Sequence, residues 1–174
     1  MRLAMSKTRE QFPLSYKKVW KKTIIRFLPF AVADLIFIAV LAGAIGAGEG
    51  VWDVFWLLTI ILLLLLGFIF LGIYFFQRWC FAVYFYDLTP DHIIIRKGPI
   101  TPSEITIPYQ RIQDVYVDQD IFDRLLGLYD VHFSSATISS GLEAHIDGVG
   151  KPAAKGLRQI ILDAVSEKLQ IKKG

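Results

Sequence analysis

From Val54 to Phe76 the chain runs for 23 residues without a charged side chain, and Leu, Ile and Phe fill most of the run. As a helix rising about 1.5 Å per residue, it is longer than the roughly 30 Å of hydrocarbon in a bilayer. A soluble protein could hold such a helix only by surrounding it, and a chain of 174 residues provides no core of that size. The run is therefore expected to cross a membrane. Phe27 to Gly48 is a second candidate span of 22 residues, with Pro29 in its first turns and Asp34 inside it. Proline near a helix start leaves no extra amide unbonded. A carboxylate at mid-helix depth costs about 2.5–3.5 kcal/mol on insertion scales, which the surrounding Leu, Ile, Val, Phe and Ala residues offset.

Between the two spans lie Glu49, Gly50, Val51, Trp52 and Asp53, a short acidic link that predicts a helical hairpin. Residues 1–26 carry eight Lys or Arg against one acid, Glu10, while residues 77–174 carry 11 Lys or Arg against 12 Asp or Glu. The basic pI of about 9.0 thus belongs to the N-terminal segment and not to the region after the spans. Lysine and arginine gather on the cytoplasmic side of short membrane hairpins. Both termini are accordingly expected in the cytoplasm, the acidic link outside, and the chain in the cell membrane as a multi-pass protein. Trp20, Trp52, Trp56, Tyr74 and Trp79 fall near the span ends, where amphipathic rings favour the headgroup layer. No basic face is available to the domain after residue 77, which argues against nucleic acid as a partner. The basic start of the chain is too long, and lacks the cleavage pattern, for a secretory signal.

Within residues 15–27, Tyr16, Val19, Trp20, Thr23 and Phe27 follow helical spacing, with the basic residues largely opposite. An amphipathic helix leading into the first span is expected, with Lys17, Lys18, Lys21, Lys22 and Arg26 as candidate contacts for anionic lipid. The alternative is that these charges only set topology. The chain divides on this reading into a basic segment (1–26), a two-helix hairpin (27–76, spans 27–48 and 54–76) and a cytoplasmic domain (77–174).

The domain is read as β-rich. Residues from Trp79 to Leu88 alternate as a strand does, with Phe81, Val83 and Phe85 against Ala82, Tyr84 and Tyr86. Further strands are expected at His92–Lys97, Glu104–Pro108, around Ile112, Val115 and Val117, at Tyr129–Ser135, and at Leu142–Asp147. Ile121 to Leu126 predicts one or two helical turns stopped by Gly127. After Gly148-Val149-Gly150, Pro152 opens a helix to about Gln170, with Leu157, Ile160, Ile161, Ala164, Val165 and Leu169 as its apolar stripe. Short antiparallel strands closed by one terminal helix predict a small open barrel with a helical cap.

Two motifs carry a resemblance. Ile107-Pro108-Tyr109-Gln110-Arg111-Ile112-Gln113-Asp114-Val115 is followed by Arg124-Leu125-Leu126-Gly127-Leu128, and Leu88, Thr89, Ile93 and Gly98 precede them at suitable spacing. Over about residues 70–165 the chain resembles the bacterial pleckstrin-homology (PH) domain family 2, the YdbS-like membrane proteins. The loop at Ser134–Gly141 departs from the Thr-Ala-Gly turn frequent in that family, reading Ser135-Ala136-Thr137. The resemblance implies a PH-like fold behind membrane spans, and a role in membrane-anchored assembly or envelope stress, with no known reaction. Pro108, Arg111, Ile112, Asp114, Val115, Arg124 and Gly127 are its motif residues, and structural salt links and turn hydrogen bonds are expected of them.

No catalytic constellation emerges. Arg111, Asp114, Asp118, Asp120, Asp123 and Arg124 cluster in sequence, without a nucleophile or an evident base held by a second group. His92, His132 and His145 lie on different strands with no metal-ligand spacing, and the single cysteine, Cys80, excludes an intrachain disulfide. Gly148-Val149-Gly150-Lys151 lacks the rest of a phosphate-binding loop. Cys80 reads as a buried thiol, with juxtamembrane acylation as the alternative. Neither metal nor cofactor is expected. The turn Leu88-Thr89-Pro90-Asp91-His92 has no Lys or Arg, so multidentate phosphate capture there is poorly supplied. The expectation is a non-enzymatic, membrane-anchored interaction module that recruits a protein partner or assembles with itself. The runner-up is an anionic-lipid headgroup sensor, and the third reading is an accessory subunit of a transporter or enzyme.

Overall fold

The computed structural model describes residues 6–44, 51–135 and 144–171. In chain order the elements are α1 (Lys7–Gln11), α2 (Lys17–Ala44), α3 (Val51–Val83), β1 (Phe85–Leu88), β2 (His92–Lys97), β3 (Ser103–Pro108), a 3-10 turn (Tyr109–Arg111), β4 (Ile112–Asp118), α4 (Ile121–Leu126), β5 (Leu128–Ser135), β6 (Ala144–Gly150) and α5 (Lys151–Ile171). They form two compact units. Residues 19–78 make a helical unit, and residues 6–18 join residues 79–171 in a β unit. The division expected at residue 26 falls inside α2, which continues from its basic first turns into the apolar sequence, so Pro29, expected in a first turn, is an interior proline that cannot donate to the Ile25 carbonyl.

In the helical unit α2 has 28 residues and α3 has 33. At 1.5 Å per residue these are about 42 and 50 Å long, and both are long and apolar enough to cross a membrane. They pack against each other through Trp20 on Tyr74, with ring centroids 5.2 Å apart, and Phe27 on Phe70 at 5.0 Å. With its amide oxygen turned toward Arg26, buried Gln77 accepts from Nη1 at 2.7 Å and Nε at 3.1 Å. The core helix of a soluble protein would bury its large apolar side chains. Here Leu64 is 70% exposed and Phe68 75%.

α3 differs from its expected bounds at both ends. Val51, Trp52 and Asp53, read as part of the link, form its first turn, where the Asp53 carboxylate suits the positive end of the helix dipole. Phe81, Ala82 and Val83, read as strand, are helical: no Gly or Pro interrupts the i→i−4 ladder, and Tyr84 N still donates to Cys80 O at 3.1 Å. The alternation that signalled a strand is real only from Phe85. Residues 45–50, including Glu49 and Gly50 of the link, lie outside the described residues.

The β unit holds two three-stranded antiparallel sheets, ordered β1-β2-β3 and β4-β5-β6. Strand β2 pairs along its whole length with β3, from His92 opposite Pro108 to Lys97 opposite Ser103. In the second sheet Tyr116 lies opposite His132, and His132 opposite His145. The barrel expected from the sequence takes the form of these two sheets, with no strand of one paired to a strand of the other among the described residues. Their facing sides form one core of Tyr86, Ile93, Ile95, Ile107, Val115, Val131, Phe133 and Ile146. α5 closes it with Ala154, Leu157 and Ile161, spaced three and four apart so that they fall on one helix face. Val149, read as loop, pairs with Tyr129 and is fully buried.

Residues 6–18 bind the β unit as a strap that the sequence reading did not foresee. Ser6 caps α1 by accepting from Arg9 N at 3.0 Å, and the Ser6 and Thr8 hydroxyls donate to Asp87 Oδ1 at 2.7 and 2.8 Å. Arg9 Nη1 donates to Tyr84 O at 2.7 Å, and the Tyr86 hydroxyl donates to Phe12 O. Leu14 bridges to Val149, and Ser15 N donates to Gly148 O at 2.9 Å.

Candidate functional site

The strap ends at Lys18, the last residue of the β unit ahead of the helical unit and the second of α2. Its ammonium lies 3.2 Å from Asp147 Oδ2, donates to the Asp147 carbonyl at 2.9 Å, and stands 4.0 Å from the centre of the Tyr84 ring. Both side chains of the ion pair are almost fully buried, at 5% and 6% exposure. Asp147 is presented by β6 just before Gly148, whose φ of +79° favours glycine; a Cβ there would come within 2.7 Å of the Lys18 chain. Burial, and next the charge of Asp147, push the Tyr84 phenol far above its ordinary range, so it stays protonated and donates to His145 O at 3.1 Å.

This geometry places the basic residues nominated from the sequence. Lys17 Nζ donates to Leu126 O at 3.0 Å, and Lys18 is held by Asp147. Lys21 is buried, Lys22 is half-buried and Arg26 lies beside Gln77. The five do not form one solvent-facing stripe.

The motif residues separate into two kinds. Ile112 and Val115 belong to the core, and Gly127, at φ +68°, ends α4 in the left-handed conformation. Asp120 and Asp123 cap α4 reciprocally: Asp120 Oδ1 accepts from Asp123 N at 2.7 Å, and Asp123 Oδ2 accepts from Asp120 N at 3.4 Å. Pro108 leads into the 3-10 turn that carries Arg111. Arg111, Asp114 and Arg124 are exposed, and none of them enters an ion pair among the described residues. A three-residue spacing brings side chains together on a helix, whereas Arg111 sits on the turn and Asp114 follows a register shift in β4. Asp114 instead accepts from Val115 N at 2.8 Å. α4 also turns Ile121 and Leu125 outward, each 78% exposed.

A groove of about 560 Å³ runs between α5 and β4, lined by Tyr116, Val117, Tyr129, Lys151, Ala154, Lys155, Arg158 and Gln159. On the outer face of the second sheet Tyr116 stacks on His132 at 4.9 Å, and His132 on His145 at 5.1 Å. Strand register joins these three rings, which is why residues so distant in sequence went unconnected. Lys151 was weighed only as part of an incomplete phosphate-binding loop, and Lys155 and Arg158 went unnoticed because they sit on the polar side of a helix read only for its apolar stripe. Their spacing of four and three was the available signal.

The sequence pattern of the Bacterial PH domain family matches residues 26–165. The chain belongs to that family. The match takes in α2 from Arg26 onward, all of α3 and the β unit from Tyr84 to Val165, a wider stretch than the motifs alone suggested; the strap lies outside it. No curated protein and no solved structure matches the chain. The family defines the β unit as a PH-like domain of the kind that serves as a binding module.

Proposed function

We propose that the chain is a membrane-anchored PH-like interaction module without catalytic activity, whose two helices span the cell membrane and whose β unit recruits a protein partner on the cytoplasmic side. One observation carries this reading: α2 and α3 are long helices with outward-facing apolar side chains, and a single family match runs from Arg26 in α2 through α3 to Val165 in α5. The charge bias ahead of the first span supports a cytoplasmic β unit. A protein partner ranks above a lipid headgroup because the Lys17 and Lys18 ammoniums already have acceptors within the β unit. A role in envelope stress or membrane maintenance fits such a module and rests on the YdbS-like resemblance alone. The test is extraction of the full chain from membranes with alkaline carbonate. Retention in the pellet and release by detergent are expected; release into the carbonate supernatant would overturn the reading.

One observation favours a second reading, direct contact of the β unit with lipid. α4 exposes Ile121 and Leu125, and its last carbonyl holds Lys17, the first residue of α2. Exposed apolar side chains on a short helix suit the headgroup boundary.

A further inference from the structure

We propose that the groove between α5 and the outer edge of β4 docks an extended acidic segment of a protein partner. The inference rests on the interaction-module reading above and names the chemistry of the partner. Lys151, Lys155 and Arg158 line one side of the groove, and no carboxylate lines it. All three are exposed, and none of them enters an ion pair among the described residues. The groove thus presents three cations without an internal counter-charge.

The other wall is the edge of a sheet. β4 is an outer strand of its sheet. Arg158 Nε donates to Val115 O at 3.3 Å, so this carbonyl turns toward α5, and the guanidinium keeps further N–H groups for another acceptor. Beyond it, Tyr116 and Val117 both line the groove. Consecutive strand residues point to opposite faces, so a groove touching both follows the strand edge itself. At Val115 the edge is already occupied, the N–H by Asp114 and the carbonyl by Arg158, so an added strand would make its main-chain hydrogen bonds beyond Val115, with alternate side chains giving specificity. Tyr116, stacked on His132, stands ready at its mouth, while Val117, Tyr129 and Ala154 provide apolar footing.

Spacing decides the class of ligand. Along a helix, residues 151 and 155 are about 6 Å apart and residues 155 and 158 about 4.5 Å. Side chains on one side of an extended peptide recur at about 6.5–7 Å. The Lys151–Lys155 spacing comes near to that of carboxylates at alternate positions of a strand. A single phosphate is held best by donors that converge on one point.

The experiment uses the full chain in uncharged detergent and a fluorescent peptide of alternating Glu and Val, with an alternating Lys and Val peptide as control. The acidic peptide is expected to bind, and to bind less as salt rises. Lys151→Glu with Lys155→Glu should weaken it by about tenfold or more, from two exposed pairs lost and like charges introduced. Acid in the first turns of α5 suits the helix dipole, so the double variant should stay folded. Tyr116→Ala should weaken binding several-fold, and Lys168→Gln should leave it unchanged. The proposal is overturned if the two peptides bind alike, or if the double variant binds the acidic peptide as the natural chain does. It is also overturned if phosphatidylglycerol vesicles or inorganic phosphate respond to the charge reversal and the peptide does not. Because carbonate extraction does not depend on the groove, a negative result here leaves the anchoring test standing.

Discussion

Replacing Lys18 by Met leaves the Asp147 carboxylate buried without its ammonium, and the cost should be large. Both partners are at most 6% exposed, and Lys18 also donates to the Asp147 carbonyl and lies on the Tyr84 ring. Removing one member of a buried pair typically costs about 3–5 kcal/mol, because the remaining charge has lost its solvent and its partner. For a domain of this size 1 kcal/mol shifts the melting temperature by about 4–8 °C, so the shift expected for Lys18→Met is about 12 °C or more. Asp147→Asn should cost less, since it removes the charge and keeps a polar acceptor. The double variant, with neither charge of the pair left, should recover much of the loss, and coupling between the sites should exceed about 1 kcal/mol. The assay is near-ultraviolet circular dichroism of the full chain in detergent, with limited proteolysis of the strap as a second readout. Released from Asp147, residues 12–18 should become the preferred cleavage region. A single-variant cost below about 1 kcal/mol, or simple additivity in the double variant, would refute the assignment of this pair as the lock between the strap and β6.

Three further outcomes follow from particular residues. Gly127→Ala should cost about 1–2 kcal/mol by thermal melting, from left-handed strain alone, because the space around an added Cβ is open. Tyr84, Tyr86 and Tyr109 should titrate late in an ultraviolet pH titration, since burial raises all three phenols, Tyr109 to about 12. A folded state that holds protons which the unfolded chain releases near pH 10 loses stability as pH rises, so Tyr109 predicts weakening from about pH 10 to 12. Asp34→Leu should leave the detergent-solubilised oligomer size unchanged and be neutral or stabilising, since it removes a charge from an apolar helix; a changed size would place Asp34 against a partner helix.

Local signals made most of the fold legible. His92–Lys97 matches β2 and Ile121–Leu126 matches α4, because a β-branched run ended by Gly-Pro and an Asp-capped turn ended by Gly are complete within a few residues. The strand expected from Trp79 failed for the opposite reason. Alternation over five residues is also compatible with a helix already under way, and the helix continued to Val83. The site was less legible. That Lys18 meets Asp147, 129 residues on, depends on how the strap crosses β6. The outer edge of β4 beside Lys155 depends on sheet order. Neither leaves a mark in composition or spacing. The basic residues ahead of the first span were read for charge, and the structure assigns two of them to acceptors inside the domain.

Topology labelling tests the central claim most directly. With the native Cys80 replaced by Ala, single cysteines are placed at Val51, in the first turn of α3, and at Ile100, 71% exposed between β2 and β3. A membrane-impermeant maleimide applied to intact cells should label position 51 and leave position 100 unlabelled until the cells are opened. Labelling of position 100 from outside, with position 51 protected, would contradict the cytoplasmic placement of the β unit and with it the account of the chain as a cytoplasmic recruiting module.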